Sequence, residues 1–156
     1  MASVIGSARP FEFRKPAVSA QRWRRAAVTA LCLAGASVPN AWAQRLHEIH
    51  LIAAPGGESY RFEPASTQAK PGDVLQFRVV SGAPHNVVFE GGGLSESVRQ
   101  AWNASLLRRA GDLSGPVLSR NGMTYRILVP AVPPGTYRFF CLPHRAYDER
   151  GEVIVR

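Results

Sequence analysis

From residue 44 onward the chain is written in short runs where apolar and polar residues alternate, divided by turns of glycine and proline. After Pro71-Gly72-Asp73, residues Leu75, Phe77 and Val79 alternate with Gln76 and Arg78; after Pro133-Pro134-Gly135, residues Tyr137, Phe139 and Cys141 alternate with Arg138 and Phe140. Successive side chains of a strand point to opposite faces, so each run has one face for a core and one for solvent. The same pattern predicts strands at Leu46 to Ala53, around Tyr60 and Phe62, and at Val74 to Val80. It continues at His85 to Glu90, Met123 to Val129, Thr136 to Cys141 and Glu152 to Arg156, where Val153 and Val155 turn inward. Many short strands separated by Gly/Pro turns predict an all-β sandwich with Greek-key connections. One segment has a different period: Leu94, Val98, Ala101, Trp102 and Leu106 fall at helical spacing, and Ser95 can cap the start. A helix over about 94–109 is expected as an insertion between strands.

Composition bears on two questions. With 156 residues, 46% hydrophobic and 19% charged, the chain has material for one cored domain, which excludes a disordered chain and a multidomain enzyme. The net charge of +8 invites a nucleic-acid reading. That reading weakens once the charge is located: residues 1–43 carry six Lys/Arg against Glu12 alone, and residues 44–156 carry only +3. The first segment reads as a cleavable secretory leader, with Arg22, Arg24 and Arg25 ahead of a short apolar stretch from Ala26 to Val38 and a small-residue pattern, Ala41-Trp42-Ala43. An ordinary amphipathic N-terminal helix is the competing reading, and Arg24-Arg25 leaves the export route open. The expected organisation is a leader over 1–43 and a periplasmic or secreted domain over 44–156. No apolar run reaches the roughly 20 residues of a membrane helix, so no transmembrane span is expected.

Cysteine usage then points to a site. Cys32 would leave with the leader, so the mature domain keeps Cys141 alone. A lone thiol in an oxidising compartment has no internal disulfide partner, and a metal is the obvious use for it. Cys141 ends a strand, Leu142-Pro143 turn the chain, and His144 returns over the same point. His85 comes from another strand, so the fold itself supplies a third donor. One thiolate and two imidazoles, with a weak axial partner, suit copper cycling between Cu(I) and Cu(II).

Pro84-His85-Asn86 together with Cys141-Leu142-Pro143-His144 resembles the cupredoxins, in particular the plastocyanin/pseudoazurin-like small blue copper proteins. Pro71-Gly72-Asp73 and Pro133-Pro134-Gly135-Thr136-Tyr137 resemble the family's turns as well, and the likeness spans roughly residues 46–156. The resemblance implies a cupredoxin-like sandwich holding one mononuclear type 1 copper site. It implies His85, Cys141 and His144 as equatorial ligands, with Asn86 tying the His85 loop to the cysteine loop. It also implies an exposed ring edge on His144, rimmed by Leu142 and Pro143, as the electron port. The family's axial methionine would stand at Glu149, followed by Arg150 and Gly151. Glu149 either approaches the metal axially, favouring Cu(II) and a lower potential, or turns to solvent and leaves a three-coordinate site. Met123 alternates with apolar neighbours and reads as core rather than ligand.

Other motifs carry less. His47 and His50, three apart on a strand, face opposite sides and read as surface residues. Gly91-Gly92-Gly93 lacks the Lys-Ser/Thr partner of a phosphate loop. Asn103-Ala104-Ser105 matches a glycosylation acceptor but falls in the expected helix. No nucleophile–base pair or paired-carboxylate motif suggests an enzyme. The function expected is one-electron transport as a monomer between transient redox-protein partners. The alternative is copper storage or delivery without electron relay. The mild positive charge of the domain would favour an acidic partner, and nucleic acid is not an expected one.

Overall fold

The computed structural model describes residues 44–156, so the expected leader over 1–43 lies outside the described residues. Eight strands form two four-stranded sheets. The first sheet orders β2 (Tyr60–Glu63), β1 (Leu46–Ala53), β4 (Val74–Val79) and β6 (Thr124–Leu128). The second orders β3 (Ser66–Ala69), β8 (Arg150–Val155), β7 (Gly135–Phe140) and β5 (Val88–Phe89). β1 pairs parallel with β4, and β3 parallel with β8; the remaining pairs are antiparallel. Neighbours in a sheet are therefore often distant in sequence, as the sandwich expectation requires.

The alternating faces meet in the middle. Ile49 and Leu51, then Leu75, Phe77 and Val79, then Tyr125, Ile127 and Val129 are buried from the first sheet. Tyr137, Phe139, Val153 and Val155 answer from the second. Phe139 is the centre: its ring lies 4.9 Å from Phe62 and 5.4 Å from Phe77, both edge-on, so three aromatic rings lock the two sheets together. Gly151 stands opposite Phe139 in the β7–β8 register, and a Cβ there would fall 2.5 Å from the Phe139 ring. The glycine leaves the room that ring occupies.

The inserted helix α1 runs Glu96–Ser105, shorter at both ends than the expected span. The Ser95 hydroxyl accepts the Val98 N–H, as its position suggests. Trp102 is buried and stacks on Phe89 with centroids 4.2 Å apart. The helix stops at Leu106, and the chain beyond it turns through Arg108 with positive φ rather than completing another turn. The expected strand at 85–90 is regular only at Val88–Phe89. Its other backbone groups bond an irregular segment instead: His85 exchanges both bonds with Leu118, Val87 accepts from Gly115, and Phe89 donates to Leu113. β3 is a strand that alternation does not predict, because its sequence, Ser-Thr-Gln-Ala, buries only Thr67 and Ala69 and shows no apolar signal.

Candidate metal centre

Each site residue is placed by a different part of this frame. Cys141 follows directly on β7, whose inward face already carries Tyr137 and Phe139, so its thiol also points inward and is fully buried. Its N–H donates to the carbonyl of Glu149, closing the β7–β8 ladder and fixing the ends of the intervening loop. Within that loop Arg145–Tyr147 form one turn of 3-10 helix, the Tyr147 N–H donating to the His144 carbonyl. Asp148 then adopts a left-handed conformation, φ +59°, which turns the chain so that Glu149 comes back over Cys141. His85 arrives from the facing loop, pinned by its bonds to Leu118. The Asn86 side-chain oxygen accepts the Leu142 N–H at 2.8 Å, joining the two loops.

His85, Cys141, His144 and Glu149 thus converge, with one donor atom from each lying within 4.8 Å of the others. The Cys141 Sγ is 3.8 Å from His85 Nδ1 and 3.5 Å from His144 Nδ1. A metal about 2.0 Å from each nitrogen and about 2.3 Å from a thiolate holds sulfur and nitrogen roughly 3.5–3.7 Å apart at tetrahedral to trigonal angles. The sulfur and the two nitrogens therefore suit a common ion. Glu149 is 0% exposed and its oxygens stand 3.0 and 3.1 Å from His85 Nδ1, with Oε2 also 2.9 Å from His144 Nδ1. Of the two placements open to Glu149, the structure adopts the inward one.

The protonation logic fits metal binding. His85 Nε2 lies 2.8 Å from the Ser81 carbonyl, which accepts only from an N–H. Nε2 therefore carries hydrogen, and Nδ1 is the nitrogen turned to the site. Burial holds the His144 imidazole below its ordinary pKa, against the opposing pull of the Glu149 carboxylate. Burial also pushes the Cys141 thiol up to about 12, and the Glu149 charge adds to this. In the metal-free protein the thiol keeps its proton at neutral pH, and a bound cation must displace it.

His144 differs from the expected port. It is only 7% exposed, so its ring edge is largely covered rather than open to solvent. Tyr60 lies flat on it, centroids 3.6 Å apart and planes 12° apart, and Tyr147 stands against Tyr60 at 4.9 Å. Leu142 and Pro143 are exposed beside it. The sequence does carry a signal for Tyr60: it shares a strand face with Phe62, and a core face can end on a site as readily as on more core.

The remaining candidates stay apart. Met123 is half-buried and packed against the hydrophobic core, and its sulfur accepts from the Ser119 hydroxyl at 3.9 Å. His47 bonds Asp73 and His50 bonds Glu48, so each already has a carboxylate partner. Asn103 is engaged at both ends of its amide, by Asp112 and by the Leu113 N–H, which leaves its nitrogen committed within the fold.

Comparison with known proteins places these observations. Residues 50–156 match the family described as copper binding proteins, plastocyanin/azurin family. Plastocyanin of Vicia faba is 33% identical over 111 residues, covering 69% of this chain and 98% of that protein. Chloroplastic plastocyanin of Pisum sativum is 32% identical over 108 residues, covering 69% of this chain and 58% of that longer protein. Among solved structures, oxidised plastocyanin of Dryopteris crassirhizoma aligns with a TM-score of 0.56 at 24% identity, over 70% of this chain and 100% of that one. The last is a likeness of fold.

Proposed function

This chain belongs to the plastocyanin/azurin family of copper-binding proteins, and on that premise we propose that it carries single electrons between redox partners through one copper ion. Copper is its cofactor, and it is a carrier rather than an enzyme. The ligands proposed are His85, Cys141 and His144, with Glu149 in the fourth position. The observation that carries the reading is the convergence of a buried thiol, two Nδ1 atoms and a buried carboxylate from two separate loops.

When bound, copper supplies the one-electron couple between Cu(I) and Cu(II). The residues do the rest. Cys141 gives up its proton and presents a thiolate, the soft donor that suits the reduced state, and the imidazoles suit both states. Ser81 holds the His85 ring in one tautomer, and Asn86 binds the His85 loop to the cysteine loop. A donor set fixed in this way needs little rearrangement as the charge changes, which keeps electron transfer fast. Glu149 adds a second buried negative charge beside the thiolate, which favours the more positive state and lowers the potential.

Export to a periplasmic or extracellular compartment, and action as a monomer with transient redox partners, are part of the same proposal. The leader pattern over residues 1–43 supports the export. No helix among the described residues is long and apolar enough to cross a membrane. Storage or delivery of copper without relay is the second reading, and the buried Glu149 is what favours it. An optical experiment separates the two. A copper-loaded sample with an intense visible band that a mild reductant bleaches rapidly, and that air or ferricyanide restores, supports the carrier. A pale site that cycles slowly supports storage.

A further inference from the structure

The imidazole of His144 is held on its outer face by one residue, Tyr60, and that residue is itself wedged. Tyr60 opens β2 opposite Ala53, and the hairpin before it is closed by the Ala54 N–H donating to the Ser59 carbonyl. Gly82, at φ +73°, stands close by the ring: an added Cβ there would lie 2.9 Å from Tyr60 Cε1 and 2.3 Å from the Ala53 methyl. The ring therefore packs closely beside Gly82 and lies flat on His144, at 3.6 Å and 12°. His144 cannot turn about its Cβ–Cγ bond without striking it. Tyr60 also covers the imidazole from solvent, leaving Tyr147, half exposed, as the outer member of the aromatic group.

We propose that Tyr60 is a positioning residue for the metal centre: it clamps the His144 ring in its ligating orientation and shields the site from small external ligands. This rests on the reading of His144 as a ligand, but the clamp itself exists in the metal-free protein and can be tested there. The flat ring, not the hydroxyl, makes the contact, so Tyr60→Phe keeps the function and Tyr60→Ala loses it. Tyr60→Leu serves as a second variant that retains bulk without a flat face, should the alanine variant fold poorly.

Two measurements decide it. In metal-free protein, proton NMR of the His144 ring reports the stack directly: its ring protons lie upfield in the parent and in Tyr60→Phe, and move downfield in Tyr60→Ala and Tyr60→Leu. In the Cu(II) form, azide titration followed by visible absorption reports the shield. Azide should bind Tyr60→Ala about tenfold more tightly than the parent, the scale expected when one aromatic pair is removed. Tyr60→Phe should match the parent. The proposal is overturned if the ring protons do not move in Tyr60→Ala and Tyr60→Leu, or if azide binds all four proteins alike. A parent protein that takes up no copper defeats the metal reading instead, and the ring-proton shifts still decide whether the clamp exists.

Discussion

Glu149 carries more of this protein's individual character than any other residue of the site. Its carboxylate sits within 3.1 Å of both histidine Nδ1 atoms and is fully buried. Replacing it with methionine removes a negative charge from the proposed metal site without emptying the space. A unit charge about 4 Å away, in surroundings of intermediate dielectric, is worth a few kcal/mol. Glu149→Met should therefore raise the reduction potential, by on the order of 100 mV, as read by voltammetry of the copper-loaded protein. An unchanged or lowered potential would place the carboxylate away from the ion. Asn86 acts at one remove. Asn86→Ala leaves the Leu142 N–H without its acceptor and should cost about 1 kcal/mol in stability, measured by denaturant unfolding, while loosening the loop that carries Cys141.

At the scale of elements, alternation within strands is enough to identify most of the sandwich. β1, β4, β6 and β7 are read from Leu-Phe-Val type faces, and the structure buries those faces. β3 is invisible to that rule, because a short strand with Thr67 and Ala69 as its inward residues has no apolar signature. The strand expected at 85–90 is shorter than its alternation implies, since the alternation continues where the partner is an irregular loop bonded at His85 and Val87 rather than a strand. Within the site, Cys141 and His144 are legible from local spacing and His85 from its neighbours. The inward face of Tyr60 is legible from its place beside Phe62, but its stack on His144 is not, because contact between residues 84 positions apart leaves no trace in either local pattern. The turn before β4 makes a prediction of its own. Burial alone would raise the pKa of Asp73, but its bonds from His47 and from the Lys70 and Arg45 N–H groups hold it below the ordinary 3.8. A carboxyl depressed in the folded state stabilises the fold above its unfolded pKa and loses that contribution as pH falls through the folded value. Asp73→Asn should lower stability at neutral pH and flatten the decline below about pH 4, as followed by thermal unfolding across pH.

For the whole molecule, one packed interface between two sheets holds both loops of the site in register. Phe139 lies at its centre, and Phe139→Ala should cost about 3–5 kcal/mol, seen as an early unfolding midpoint in denaturant. Gly151→Ala should destabilise by about 1–3 kcal/mol through the same ring, since the new methyl occupies space the phenyl already fills. Neither residue supplies a donor atom, so either variant that still folds should bind copper with the parent's spectrum. Everything proposed for the site requires that the thiol and the two imidazoles hold one ion together. Titration with Cu(II), followed by visible absorption and electron paramagnetic resonance on the parent, Cys141→Ala and His85→Ala proteins, addresses this most directly. The parent should take up a single equivalent with an intense thiolate-to-copper band, absent from Cys141→Ala and displaced or lost in His85→Ala. Copper bound without that band, or a band that survives the loss of Cys141, would contradict it.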